Sequence, residues 1–281
     1  MRRAVVAILV EEHHQSVVQA CQIAGLSRTA YYRPPVASLD ADAPIIAALT
    51  ALVAEDGRWG FWKCFDRLRA LGHGWNHKRV YRVYCALKLN HVRRTKKRVP
   101  PRTVVPLNAV PQLNDTWAMD FMRDTLYDGR VYRILNVLDE GNREALAIEV
   151  DVSLPSTRVV TVLEQLVGMY GAPRRIRCDN GPEFLAGELV DWCQRRGIQL
   201  AYIQPGKPNQ NAYIERFNRS YRYELLDAWV FTSLADVRDL SEAWRHRYNT
   251  ERAHDALGRV PPLTFLPRAT PLSPSHFQLC A

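Results

Sequence analysis

No stretch of this 281-residue chain approaches the eighteen or more consecutive apolar residues of a transmembrane helix, so the sequence predicts no membrane span. One run starts like a secretory leader, with Arg2 and Arg3 before the apolar residues 4–10. It is cut off by Glu11, Glu12, His13 and His14, without a small-residue cleavage site. Cysteine is sparse, and its six copies (Cys21, Cys64, Cys85, Cys178, Cys193, Cys280) contain no C-x-x-C pair. A paired-cysteine metal knuckle and a disulfide scaffold are thereby excluded, and reduced, mostly buried thiols in a cytosolic protein are expected. His13, His14 and Cys21 do not make a zinc-binding pattern. The sharpest absence is of acidic residues: residues 78–102 contain none, beside ten Lys and Arg.

That gap locates the charge. The chain carries +9 overall, yet residues 1–110 hold 18 basic and 7 acidic residues while the remainder holds 20 and 22. The surplus is therefore confined to the N-terminal part. A concentrated basic stretch suits a polyanion, because each neutralised phosphate releases counterions; taken alone it also suits a solvated arm.

The hydrophobic pattern divides the chain. Residues 4–33 read as helix-turn-helix, with Gly25 as the break and Ser27 as an N-cap, although a plain helical hairpin fits equally. Helices are expected over 44–54, 59–71 and 76–89. In the last of these Lys78, Arg79 and Arg82 stand where a recognition helix meets DNA. Residues 91–113 are basic and then proline-rich, without apolar period. Beyond them strands are expected at 116–122, 131–138 and 144–150, separated by Asp128-Gly129 and Gly141-Asn142 turns. A helix (156–169), a strand (174–178), a helix (183–196), a strand (198–203) and two helices (211–227, 233–249) follow. This order predicts an α/β fold with a mixed sheet flanked by helices, behind an all-α region. The expected segments are 1–36 (helix-turn-helix-like), 37–99 (basic, DNA-binding), 100–113 (linker), 114–270 (catalytic core with C-terminal helices) and 271–281 (tail).

Three carboxylates stand out. Asp120 alternates with Trp117, Met119 and Phe121 on a strand. An unpaired carboxylate in such a strand is costly, which metal ligation would resolve and a core salt bridge would equally resolve. Asp179 follows a short strand in Arg-Cys-Asp-Asn-Gly-Pro-Glu-Phe, at the carboxyl edge where α/β sites lie; an Asx turn is the alternative. Glu215 shares a helical face with Asn211, Asn218, Arg219 and Arg222. Hard oxygen ligands of this kind suit Mg²⁺ or Mn²⁺, and phosphoryl transfer by paired metals needs such a set.

At these motifs the sequence resembles the bacterial insertion-sequence transposases of the OrfB type, members of the retroviral-integrase superfamily. Asp179 and Glu215 are separated by 35 residues, the interval characteristic of this Asp–Asp–Glu family. Trp117-Ala-Met-Asp120, Asp179-Asn-Gly-Pro-Glu-Phe184, Pro205-Gly-Lys-Pro208 and Asn211…Glu215…Arg222 follow its pattern in order. Trp75-Asn-His-Lys-Arg-Val-Tyr-Arg resembles its helix-turn-helix-like segment, and Tyr248-Asn…Arg252-Ala-His254…Leu257-Gly258 its C-terminal motif. Ala253 stands where the family usually has Pro. Trp59-Gly-Phe-Trp-Lys63 departs from the usual Tyr-Gly-Tyr-Arg-Arg, a change expected to alter a DNA contact.

The resemblance implies an RNase H-like five-stranded sheet and a DNA transposase in which Asp120, Asp179 and Glu215 bind two Mg²⁺ (or Mn²⁺) ions, hydrolyse a phosphodiester at an element end, and let the freed 3′-hydroxyl attack another without a covalent enzyme intermediate. A circular transposon intermediate is implied as well. Lys207, Arg219 and Arg222 are expected at DNA, and Arg222 alternatively beside Glu215. Arg93, Arg94, Lys96, Lys97 and Arg98 are expected on the phosphate backbone, and Asn180 and Asn211 behind the carboxylates. Expected partners are the DNA of element ends and target, a further copy of the chain (at least a dimer on DNA), and an upstream frame joined by frameshift. The expected location is the bacterial cytoplasm, on the nucleoid when bound. The rival readings are an RNase H-like nuclease without strand transfer and a non-catalytic DNA-binding regulator.

Overall fold

The computed structural model describes residues 2–32, 38–90, 110–204 and 208–268. The regular elements among the described residues up to 90 are all helices: α1 (Arg2–Glu11), α2 (Val17–Ile23), α3 (Arg28–Tyr32), α4 (Ser38–Glu55), α5 (Phe61–Ala70) and α6 (His77–Ala86). Ser16 caps α2 through the Gln19 N–H, and Ser27 caps α3 through the Ala30 N–H. Gly25, at φ +61°, makes the left-handed turn between them, a conformation that costs glycine little. Val6, Ala20 and Cys21 form a small core there.

The chain divides into two compact units that cut across the segments read from sequence. One comprises Met1–Ala51 with Lys78–Leu89, and the other Leu52–His77 with Asn90–Ala281. In the first, Arg79 and Arg82 both bind the buried carboxylate of Asp42 at 2.7 Å. In the second, α5 lies with the catalytic-core residues.

The second unit is built on β1 (Thr116–Thr125), β2 (Val131–Asp139), β3 (Ala145–Asp151), β4 (Arg175–Cys178) and β5 (Gln199–Tyr202). Their order is β3-β2-β1-β4-β5. The β1–β2 and β2–β3 pairs are antiparallel, and the β1–β4 and β4–β5 pairs parallel. This is the expected RNase H-like mixed sheet. Because strand side chains alternate between faces, Trp117 and Met119 go to one side. There they join Val159, Leu163 and Leu166 of α7 (Ser156–Tyr170), Phe184 of α8 (Pro182–Leu185), and Leu189 and Trp192 of α9 (Gly187–Arg196). Ala118 goes to the other side, with Ile214, Phe217 and Tyr221 of α10 (Ala212–Tyr221) and Trp244 and Tyr248 of α11 (Leu234–Thr250). A valine, leucine, isoleucine or phenylalanine among them contributes about 1.5–3 kcal/mol when fully buried. A last turn, α12 (Pro262–Phe265), ends the described chain near Arg268, whose guanidinium meets Asp139 and Glu144. Among the described residues no helix is long and apolar enough to cross a membrane.

The four described sites of free buried thiol are Cys21, Cys64, Cys178 and Cys193. Burial pushes Cys64 up to about 11 and Cys178 and Cys193 up to about 12, which leaves these three as unreactive thiols.

Candidate active site

Asp120 lies on β1, on the sheet face covered by α10, and pairs in register with Asn136 of β2. One carboxylate oxygen accepts the Phe121 N–H at 2.9 Å, and the other accepts the Asn218 amide at 2.8 Å. Asn218 in turn accepts from the Asn136 amide at 2.7 Å. A chain of amides thus runs from β2 through α10 to Asp120. Asn136 is a functional position that sequence reading missed. Its only signal is one amide inside the apolar run Ile134-Leu-Asn-Val-Leu138, an unusual placement because buried amides need partners.

Asp179 follows β4, the parallel neighbour of β1. Its carboxylate accepts the Gly181 N–H at 2.9 Å, so the Asx turn and the site candidate are the same residue. A Cβ at position 181 would stand 3.0 Å from that carboxylate oxygen, so glycine leaves open room in front of Asp179. Glu215 is exposed on the first turn of α10.

Asp120 is pushed up to about 6 first by burial, then by the charge of Asp179, with Glu215 adding to it. The three carboxylates therefore gather around one region, and no cation is among the main influences on Asp120. As they stand, no three His, Cys, Asp or Glu side chains among the described residues are placed to hold a metal ion together. The donor set itself fits a hard divalent cation: oxygen ligands only, uncompensated negative charge, and open room at Gly181.

The other expected site residues are distributed as follows. Asn211 is buried at the entry to α10, its amide 3.4 Å from the Met119 carbonyl and its Oδ1 unpaired. Asn180 donates to the Ile203 carbonyl at 3.1 Å and ties the Asp179 turn to the end of β5. Arg219 and Lys78 are exposed. Arg222 does not meet Glu215; it binds Asp124 at 3.0 Å and the Arg123 carbonyl at 2.9 Å. Arg79 and Arg82 are likewise engaged with Asp42 rather than wholly free for DNA. Lys63, expected to bear on a DNA contact, binds Glu224 at 2.6 Å beside Arg252. These ion pairs share one cause, since a carboxylate remote in sequence lies near each cation in space. Arg93, Arg94, Lys96, Lys97, Arg98, Lys207 and most of the 100–113 linker lie outside the described residues.

Residues 111–208 and 196–262 each match the Integrase core domain family, and residues 40–98 match the HTH-like domain family. The first match contains Asp120 and Asp179, and the second contains Glu215. The chain is 38% identical over 287 residues to the insertion element IS476 39.2 kDa protein of Xanthomonas euvesicatoria, covering 99% of this chain and 82% of that one. It belongs to the insertion-sequence transposases of the integrase superfamily. A second such relative, the insertion element IS407 31.7 kDa protein of Burkholderia multivorans, is 38% identical over 92% of this chain and 94% of its own length. Among solved structures, this transposase is similar to a chain of the simian T-cell lymphotropic virus intasome in complex with the PP2A regulatory subunit B56 gamma (15% identity, TM-score 0.49, 76% of each chain).

Proposed function

We propose that Asp120, Asp179 and Glu215 of this transposase hold two Mg²⁺ or Mn²⁺ ions and that the enzyme cuts and joins DNA at insertion-sequence ends there. The observation that carries this reading is the gathering of three carboxylates from β1, the β4 edge and α10, with Asp120 under the charge of the other two. Bound divalent ions supply Lewis acidity to the attacking and leaving oxygens. The chain's own residues hold the ligands. The Phe121 N–H and Asn218 fix Asp120, the Gly181 N–H fixes Asp179, and the exposed Glu215 completes the set from α10.

In the first step water attacks phosphorus and the bond to the 3′ oxygen breaks, leaving a 3′-hydroxyl. In the second that hydroxyl attacks another phosphodiester in line: its oxygen bonds to phosphorus as the bond from that phosphorus to the opposite 3′ oxygen breaks, its proton leaves to solvent, and the displaced 3′ oxygen takes one up. Exposed Arg219 and Lys78, and the basic residues 93, 94, 96, 97, 98 and 207, contact DNA. Joining two ends requires at least two copies on DNA, and the product of an upstream frame, fused by frameshift, contributes end recognition. The enzyme works in the bacterial cytoplasm, on the nucleoid.

The test is a gel assay with labelled DNA from the element's ends, the protein and Mg²⁺, beside Glu215→Gln. Metal-dependent nicked and joined products are expected from wild type alone. Products of equal yield from the variant would sink the assignment, and nicking without joining would leave a nuclease. Binding without cutting, repeated with the upstream frame fused, would leave a regulator.

A further inference from the structure

Two of the three carboxylates are set by the sheet. Asp120 and Asp179 belong to paired parallel strands in the register Ala118↔Arg177, so main-chain hydrogen bonds fix how far apart their backbones stand. Glu215 does not stand on the sheet. Its helix rests there through Ile214, Phe217 and Tyr221, apolar contacts that are non-directional, and through the Asn218 amide on Asp120 and the Asn211 amide 3.4 Å from the Met119 carbonyl. Further polar contacts hold the turn that leads into it.

One side chain joins that turn to the strand before Asp179. Arg177 lies on β4, two residues before Asp179 and on the same face of the strand. Its Nη1 donates to both carboxylate oxygens of Glu140, at 2.7 and 3.0 Å, and to the main-chain carbonyl of Gln210 at 3.2 Å. Gln210 belongs to the 3-10 turn Pro208–Asn211 that opens directly into α10. Glu140 is held in its turn: its side chain is 4% exposed, and its own N–H donates to the Thr116 carbonyl at the start of β1. Arg143, in the turn beyond Glu140, lies over the Tyr213 ring at 3.5 Å, two residues before Glu215. The β2–β3 turn thus grips the start of α10 from one side, while Arg177 reaches it from the strand that carries Asp179.

We propose that Arg177, oriented by Glu140, is a positioning residue that sets the approach of Glu215 to Asp120 and Asp179. The inference rests on the reading of these carboxylates as a metal site. Removing Arg177 leaves the two aspartates in place and loosens the turn before α10, so metal affinity falls through Glu215 alone.

The experiment is a Mn²⁺ titration of the full chain without DNA, with free Mn²⁺ followed by its paramagnetic resonance signal. It compares wild type, Glu215→Gln, Arg177→Met and the double variant, with circular dichroism confirming the fold. Arg177→Met is expected to weaken Mn²⁺ binding by about tenfold or more, the usual effect of losing a residue behind the ligands. In the Glu215→Gln background the same change is expected to cost less than about twofold, because both act through one group. Arg177→Lys, which keeps the charge, recovers part of the loss. If Arg177→Met does not fold, Glu140→Gln carries the same expectation. Unchanged Mn²⁺ affinity, or an equal loss in both backgrounds, overturns the inference and leaves the metal site standing. A wild type that binds no Mn²⁺, or a Glu215→Gln variant that binds as well as wild type, overturns the site reading and the inference with it.

Discussion

Asn218 serves two partners at once. Its amide donates to Asp120, and its carbonyl oxygen accepts from Asn136. Substituting Ala leaves a carboxylate oxygen and a buried amide unsatisfied at once, and each such group costs about 1–3 kcal/mol. Asn218→Ala is therefore expected to lower the urea midpoint by the equivalent of roughly 2 kcal/mol and to reduce DNA cleavage as Asp120 loses its orientation. A variant with wild-type stability and activity would show the amide chain to be dispensable. Asp120, Asp179 and Glu215 stand out as candidates in the sequence because a charged residue inside an apolar strand, a turn at a strand's edge and a fixed interval are local features. Their supports do not. Asn136 and Asn218 lie 82 positions apart, and nothing in a one-dimensional pattern ties them.

Among the elements, the period of apolar residues located all five strands and most helices, because burial enforces that period. Departures occur where burial and backbone disagree. Residues 183–196 read as one helix, yet the chain breaks at Ala186, with ψ at 137°, between α8 and α9. Phe184 and Leu189 are both fully buried and five positions apart, a spacing that puts them on different sides of a continuous helix. The break restores both to the core. The helix expected over 211–227 enters through a 3-10 turn and leaves through a π-turn, Arg222–Leu226, which brings Glu224 to Lys63 and Arg252. α11 begins where expected, because Ser233 and Asp236 form a reciprocal cap: the Ser233 Oγ accepts the Asp236 N–H at 3.1 Å, and the Asp236 carboxylate accepts the Ser233 N–H at 3.0 Å. Ser233→Ala is expected to cost about 1 kcal/mol in chemical denaturation with Mn²⁺ binding unchanged. A loss of metal affinity would mean that α11 also supports the site.

For the molecule as a whole, the charge ledger drawn from sequence is redistributed. Several basic residues of the N-terminal region hold the fold together, Arg79 and Arg82 within one unit and Lys63 and Arg67 within the other. Around Glu224, Arg252 and Lys63 lies His254, pushed down to about 2 by burial and then by Arg252, Lys63, Arg216 and Arg143. It is neutral in the fold, so below its ordinary value of 6.5 the unfolded chain binds a proton that the fold refuses. Stability is lost as pH falls through that value, by on the order of 1 kcal/mol per pH unit. Asp56, pushed up to about 6 mainly by burial, works the other way: its penalty grows as pH rises from about 4 to about 6. The clean observable is a difference. Between pH 7.5 and 5.5 the wild type is expected to lose more stability than His254→Gln, read from thermal midpoints. Parallel curves would place His254 in contact with solvent protons.

The ion pairs of α5 bear on the order in which this protein is made. Lys63 finds Glu224 161 positions later, and Asp66 finds Arg259 193 positions later. While the ribosome is still translating, a helix inside the HTH-like stretch waits for partners that do not yet exist. A nascent chain interrupted before the Arg252-Ala-His254 motif lacks the Arg259 partner of Asp66 as well as part of the integrase core. Early termination, before Glu224, would therefore leave α5 without the carboxylate and guanidinium that Lys63 and Asp66 bind in the complete fold.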